Sequence, residues 1–509
     1  MLAFAGRRPE SRNVREGTLR KEPVRGGEAD SWLHVVFAAA VLGGAGARFV
    51  LAFLRPLWAD EIFTLNLARR SLPDLLAALR LDSGPPLHYF AAKLLLLPFA
   101  APGPADVVVR LLSVVASLLH VPLLLRIGRR CGAPRAGVVA AALFLVFPLA
   151  AVSGAEGRSY AVASLLALAA FERLLALEEA PGVRTAVLAG LFGGAAVLTH
   201  YLALLPVGGM LLVAIVRGRS RRLAFLVSGL AAALSASWLP VALRQPRASM
   251  AWTDAQPLGG RALQCAANLG LGLPVEPGPA RFLGPLALVL LGSAFIVRRG
   301  RARVPAAAPL LVALALLGPL LLYSRSALLP DRTALVFLPF VALVLAEARI
   351  LVPAAAGPAA AAVLAASLPG WMRPTPAAQL ATTLAPQVRG GARVVAADLW
   401  GPELDYRLSR QGMPGRVTPY PSVVALHPGW YEELEVPKET LDAEAGAVVA
   451  GAEGRTFFVL TPGTRAGQAL LGELIPAGGA RVAAAGPFEV WALAASGSQG
   501  RRAGPDGSP

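Results

Sequence analysis

The chain has 509 residues, of which 55% are hydrophobic and 16% charged. That balance excludes a disordered chain, is foreign to a soluble enzyme of this length, and directs attention to membrane spans. Lys and Arg exceed Asp and Glu by 48 − 31 = 17, an excess that suits nucleic acid, an anionic substrate or an anionic membrane surface, so its placement along the chain decides.

Residues 1–31 carry seven basic and five acidic side chains and no apolar core; they read as a disordered cytoplasmic tail, not a signal peptide or a packed domain. A first span is expected at about 32–54, followed by a first external loop, 55–106, that stays polar through Leu81 except for an amphipathic stretch near Leu72–Leu81. The run 87–101 is short for a span and holds Lys93, so it either crosses the bilayer or lies at its surface. Further apolar runs lie near 107–127, 137–153, 159–177, 185–199, 202–216, 223–242, 283–297, 307–323, 333–351 and 354–369. The segments Arg126–Arg135, Arg217–Arg222 and Arg298–Arg303 hold four arginines each. All three face the cytoplasm if 87–101 stays at the outer surface, and all three land outside if it spans, so the positive-inside rule makes 87–101 a juxtamembrane helix. The expected fold is an α-helical polytopic membrane protein of about eleven spans in the cytoplasmic (inner) membrane, N-terminus inside. Orientation accounts for the basic excess, and no nucleic-acid partner is expected. On this topology Cys131 and Cys265 lie on opposite sides of the membrane and are both expected free.

From about 370 the composition turns to Pro, Gly, Asp and Glu with short β-type runs, Arg393-Val394-Val395, Thr456-Phe457-Phe458-Val459-Leu460 and Glu489-Val490-Trp491. Residues 370–496 are expected to form a small C-terminal external α/β domain, and 497–509 a disordered tail.

Ionisable residues at the external ends of spans carry the chemical signal. Asp60 and Glu61 follow the first span in Leu57-Trp58-Ala59-Asp60-Glu61; a carboxylate beside Trp58 and Ile62 at the bilayer boundary is partly desolvated, which moves it toward the range of a general base, although acids also commonly flank spans. Asp82-Ser83-Gly84-Pro85-Pro86-Leu87-His88-Tyr89 forces an extended segment before a helix and fixes Asp82, His88 and Tyr89 near the surface; its plainer meaning is a helix start. Arg158, in Ala155-Glu156-Gly157-Arg158-Ser159-Tyr160, is a planar five-donor cation suited to a phosphate, or a snorkelling anchor. At Thr199-His200-Tyr201 a lone His is a ligand or, more commonly, a helix-end hydrogen-bonder, and Asp331-Arg332 carries the same ambiguity as Arg158. Acids from the first loop and cations from three later ones fall on one membrane face, as transfer of a group from a lipid phosphate requires. No Gly-rich phosphate loop, Ser-His-Asp order or Cys/His metal spacing appears.

In that order, Trp58-Ala59-Asp60-Glu61, Asp82 with Pro85-Pro86-Leu87 and Tyr89, Arg110 through Ser113, Arg158-Ser159-Tyr160, His200, and Pro330-Asp331-Arg332 ahead of Pro339 resemble the polytopic GT-C glycosyltransferases of the protein O-mannosyltransferase and aminoarabinose-transferase type, over roughly residues 30–350. The resemblance implies a transferase that takes a sugar from a polyprenyl-phosphate donor on the outer face, with Asp60 in the catalytic position, Glu61 orienting the acceptor or tuning Asp60, and inversion at the anomeric carbon. Asp82, His88 and Tyr89 would form the acceptor or first-loop site; Arg158, His200, Tyr201 and Arg332 would hold the donor phosphate. The acceptor would be a protein, glycolipid or cell-wall glycan. Members often carry His or Lys immediately before the double proline, where this chain has Gly84. Some members use a divalent cation near the acids; too few ligands converge here to expect one, and no cofactor is predicted. The rivals are a secondary transporter of an envelope precursor, which should show ionisable groups at mid-span and two-fold internal similarity, and a non-catalytic scaffold.

Overall fold

The computed structural model describes residues 27–82, 84–99, 102–218, 220–245, 305, 310–314, 331–347, 351–397, 400–426, 436–452 and 455–493. The expected spans at 283–297 and 307–323 (except 310–314), the Arg298–Arg303 segment, Cys265, the 497–509 tail and most of the 1–31 tail lie outside the described residues.

An apolar segment in lipid must satisfy its backbone internally, so the apolar runs appear as helices. They are α1 (Gly27–Leu54), α5 (Pro102–Arg130), α6 (Pro134–Val146), α7 (Pro148–Gly154), α8 (Tyr160–Glu179) and α9 (Val183–Thr199). A 3₁₀ turn, Tyr201–Ala203, leads into α10 (Leu204–Arg217) and α11 (Arg221–Ala236), and the short α12 (Leu239–Ala242) follows. After a 3₁₀ segment, Asp331–Val336, come α13 (Leu338–Glu347) and α14 (Leu351–Trp371). Among the described residues three helices are long and apolar enough to cross a membrane, or four if α6 and α7 count as one broken span. The first external loop is itself helical: α2 (Ala59–Arg69), α3 (Leu72–Leu81) and α4 (Leu87–Leu96). At ten residues, α4 is about 15 Å long, half the hydrocarbon thickness, and cannot cross a bilayer alone.

The sequence suggests one continuous span over 137–153, but α6 and α7 meet at an angle of 67°. Pro148 has no N–H to give to the Phe144 carbonyl, and the helix breaks there. Arg48 of α1, fully buried, donates to the Leu145 carbonyl at 2.8 Å, to Phe144 at 3.4 Å and to Ser117 Oγ at 2.7 Å, so a guanidinium satisfies the carbonyls the break exposes. Gly190 and Gly194 let α9 approach α11 closely; a Cβ on either would lie within 3 Å of Leu230 or Leu234, the packing that small residues four apart permit.

Residues Pro376–Leu493 form an α/β unit around a five-stranded sheet of order β2-β1-β3-β5-β4. β1 (Arg393–Ala397) pairs in parallel with β2 (Val417–Tyr420) and β3 (Thr456–Leu460); β5 (Phe488–Leu493) pairs antiparallel with β3 and with β4 (Gly479–Ala485). β3 is buried at every position, with one apolar cluster on each face of the sheet, which explains its unbroken apolar run.

Candidate active site

Helix α2 opens with Trp58 at its N-cap and Asp60 and Glu61 in its first turn, where free N–H groups and the positive end of the helix dipole favour carboxylates. Successive helical residues point about 100° apart, so the two acids face different neighbours.

Glu61 is fully buried and meets Arg110 of α5 through two bonds, from Nε at 2.6 Å and Nη2 at 2.5 Å. It also accepts the N–H of Gly157 at 2.9 Å and that of Trp58 at 3.3 Å, the latter being the carboxylate half of a capping box. Burial alone lifts its carboxyl, but Arg110, with Arg55 and the Gly157 N–H, more than reverses this and holds it below the usual carboxylate range. Arg110 spends its other donors on the carbonyls of Leu51, Ala52, Arg55 and Pro56, at 2.6–3.3 Å, closing the C-terminal end of α1. Both oxygens of Glu61 are therefore engaged. The expectation that it orients an acceptor or acts beside Asp60 meets a geometry in which it anchors the loop.

Asp60, 8% exposed, faces Arg158 in the loop between α7 and α8, with Oδ2 3.9 Å from Nε. Arg158 Nη1 donates to Thr64 Oγ1 at 3.3 Å and to the Asp60 carbonyl at 3.4 Å, while Ser113 Oγ holds the Arg158 carbonyl at 2.9 Å. Burial opposes the Arg158 charge, yet the facing Tyr89, Asp60, Tyr160 and Asp82 outweigh it and keep it a cation. Nε of Arg158 is buried and has no hydrogen-bond partner among the described residues.

The double proline brings three more predicted residues to this cation. Asp82 caps the C-terminus of α3, and its Oδ2 accepts from Tyr89 of α4 at 3.1 Å. A Cβ on Gly84 would sit 3.0 Å from the same oxygen, so the side chain expected before the double proline has little room here. His88 is buried with Nε2 3.4 Å from the Gly157 carbonyl, and its Nδ1 likewise lacks a partner among the described residues. Burial and then the Arg158 charge push its imidazole down to about 3. His200, between α9 and the 3₁₀ turn, accepts the Leu202 N–H on Nδ1 and tilts against Tyr160 at 5.2 Å between ring centroids; burial and Arg158 bring it to about 4.

Tyr201 belongs to a separate network. Its hydroxyl accepts from Trp238 at 3.1 Å and donates to Gln245 at 2.7 Å, and Gln245 in turn donates to the Leu79 and Gly84 carbonyls. It ties the α12 region to the loop before α4 and has no phosphate-facing donor left over. The backbone of Arg332 lies in the Asp331–Val336 turn, and its side chain is outside the described residues. Among the described residues no group of three or more His, Cys, Asp or Glu stands together as a metal site, and Cys131 is free. Arg110 and Ser113 entered the sequence reading only through resemblance; a charge inside the apolar run 107–127 was the available signal for the former.

Residues 83–241, which hold His88, Tyr89, Arg158, His200 and Tyr201 but begin after Asp60, match the family model described as dolichyl-phosphate-mannose-protein mannosyltransferase. The chain is similar in fold to ArnT from Cupriavidus metallidurans bound to undecaprenyl phosphate, at 15% identity over 92% of this chain and 99% of that chain, with a TM-score of 0.50. It is similar also to the oligosaccharyltransferase of Archaeoglobus fulgidus in the apo form, at 12% identity over 86% of this chain and 70% of that one, TM-score 0.50. No curated protein sequence matches it. The family model over residues 83–241 and the fold shared with these structures bear out the resemblance read from the sequence, a likeness to the GT-C glycosyltransferases.

Proposed function

We propose that this protein transfers a sugar from a polyprenyl-phosphate-linked donor to an acceptor hydroxyl of a protein, glycolipid or cell-wall glycan, on the external face of the membrane and with inversion. The observation that carries the proposal is the pair of buried polar atoms that make no hydrogen bond among the described residues, Arg158 Nε and His88 Nδ1, with the Asp60 carboxylate 3.9 Å from the first of them. Buried polar atoms without partners are rare in native structures and ask for a ligand. An anionic phosphate fits Arg158, and the neighbour bound to undecaprenyl phosphate supports that chemistry.

In the proposed reaction Asp60 takes the proton of the acceptor hydroxyl as its oxygen attacks the anomeric carbon from the face opposite the phosphate. The bond from that carbon to the phosphate oxygen breaks, and its electron pair leaves with the polyprenyl phosphate. Arg158 meets the growing charge with paired N–H donors, and neutral His200 adds an N–H; Arg332 is assigned to the same phosphate by its place in the sequence order. Glu61 holds Asp60 in place through Arg110, and Asp82, with Tyr89 and His88, shapes the acceptor side. No cofactor is assigned. Arg48 and His120 are polar groups buried within spans, which a transporter would also show, but Arg48 is consumed by backbone carbonyls and His120 by the Ala116 carbonyl and Ser164.

The test compares envelope glycans and glycoproteins of a deletion strain with its parent by mass spectrometry. A sugar lost on deletion, restored by the wild-type chain and not by Asp60→Asn supports the proposal; identical glycans in both strains remove it. Tags after Arg130 and Arg219 should report cytoplasm, and a tag after Gly463 the outside.

A further inference from the structure

The helix Trp400–Arg410 of the α/β unit enters the core of the first loop. Tyr406 is 8% exposed and packs in one apolar cluster with Leu57, Ile62, Leu65, Ala105 and Val109. Its hydroxyl donates to Asp106, which also pairs with Arg410 at 3.4 Å; Asp106 lies one turn before Arg110 on α5. Arg407 donates to the carbonyl of Leu57 and is held by Glu403 at 2.8 Å, which accepts from Thr375 Oγ1 at 2.7 Å.

The Leu57 carbonyl and the Trp58 N–H belong to one peptide group. Arg407 grips its oxygen from the α/β unit, and Glu61, itself anchored on Arg110 of α5, grips its N–H at 3.3 Å from within the first turn of α2. A peptide group is planar, so two partners at its opposite edges fix its rotation, and with it the N-cap and the first turn that presents Asp60. We infer that the Trp400–Arg410 helix is a positioning element for the transfer reaction, with Arg407 setting the Asp60 turn and Tyr406 seating the helix. The inference rests on the reading of Asp60 as the base.

The test uses the full chain in membranes and nanodiscs. Arg407→Ala should lower glycan transfer in the complemented deletion strain by about 10- to 100-fold, the range that a displacement near 1 Å costs, with membrane abundance kept. Hydrogen exchange should rise in residues 57–66 and stay unchanged in α8 and α9. Binding of undecaprenyl phosphate should remain within about twofold, because Arg407 touches no donor-side residue. Arg407→Lys should recover part of the loss, and Arg407→Ala added to Asp60→Asn should cost nothing further. Transfer by Arg407→Ala within about twofold of wild type, a scale below any positioning effect, would overturn the inference. So would exchange that rises across the α/β unit while 57–66 stays protected. If Asp60→Asn transfers normally, the base assignment falls, and exchange at 57–66 still decides whether the helix holds that turn. Tyr406→Phe, which removes only the hydroxyl, provides a second variant that should raise exchange around Asp106 and Arg110.

Discussion

Glu61 meets Arg110 through two bonds of 2.5 and 2.6 Å, whereas Asp60, one residue earlier, stands 3.9 Å from Arg158. Both carboxylates are buried and each faces a guanidinium, yet Arg110 has spent its donors on Glu61 and four backbone carbonyls while the buried Nε of Arg158 makes no hydrogen bond among the described residues. A saturated pair has nothing left to offer a substrate, and breaking it strands a buried charge. A loose pair can exchange partners: in the proposed reaction a phosphate takes the arginine and frees the carboxylate to accept a proton. The helical offset between neighbouring residues thus gives one Asp-Glu dipeptide a saturated acid and a loosely paired one, and the proposed reaction assigns its chemistry to the second.

The sharpest way to break this distinction is to remove each acid in turn. Asp60→Asn should lose about 10²–10⁴-fold in turnover, the usual cost of losing a general base, with normal membrane abundance. Arg110→Ala should instead destabilise the fold by about 3–5 kcal/mol, the cost of stranding a buried partner, seen as low abundance and early melting in detergent. Glu61→Gln should follow Arg110→Ala in kind. A Glu61→Gln protein that melts like wild type and has lost turnover as completely as Asp60→Asn would put both acids in the chemistry and erase the contrast.

That contrast was only partly legible in the sequence. The order of Asp60, Asp82, His88, Arg158 and His200 along the chain was enough to expect them at one membrane face, and the structure gathers the other four around Arg158. What hydropathy cannot give is rotation about a helix axis, so it grouped Glu61 with Asp60 and Tyr201 with His200, each pair split by its three-dimensional partners. The fold shows the same limit. The runs at Val394, Phe457 and Val490 are β-branched or aromatic and are strands β1, β3 and β5. β2 is four residues containing Pro419, and β4 is an alanine-rich edge strand with mostly exposed positions; neither has the alternation that marks a strand. The break at Pro148 is a local signal, but the arginine that makes it tolerable sits about a hundred residues earlier, on α1.

Arginine chemistry sharpens the comparison further, with a smaller expected effect. Arg158→Ala should cut turnover by about 10²–10³-fold, as loss of one charge-stabilising donor does, and Arg158→Lys should recover little of it, because a lysine keeps the charge and loses the planar fork. Undecaprenyl phosphate should inhibit wild type competitively against donor and lose that effect in Arg158→Ala. Silent replacement by Lys, with inhibition intact in the Ala variant, would make Arg158 a membrane anchor.

The smallest expected effect is on stability in acid, and it too distinguishes the two arginines. His88 and His200 are neutral in the folded protein, brought to about 3 and about 4 by burial and by the charge of Arg158. An unfolded histidine takes up its proton near pH 6.5. Below that value the unfolded chain therefore binds more protons than the folded one, and stability falls. It should be full above about pH 6.5 and decline as pH drops toward 4, where the His200 contribution is spent, while that of His88 continues to about 3. Arg158→Ala removes a cause common to both histidines, so its melting temperature should fall less steeply across this window. Arg110 is bonded to Glu61 and to the carbonyls that close α1 and to neither imidazole, so Arg110→Lys should lower the whole stability curve and leave its slope between pH 6.5 and 4 as in wild type. Melting curves of the three proteins in the same detergent decide the matter: an equal slope in wild type and Arg158→Ala would mean that burial alone keeps these histidines neutral, and that Arg158 is less closely coupled to them than the geometry indicates.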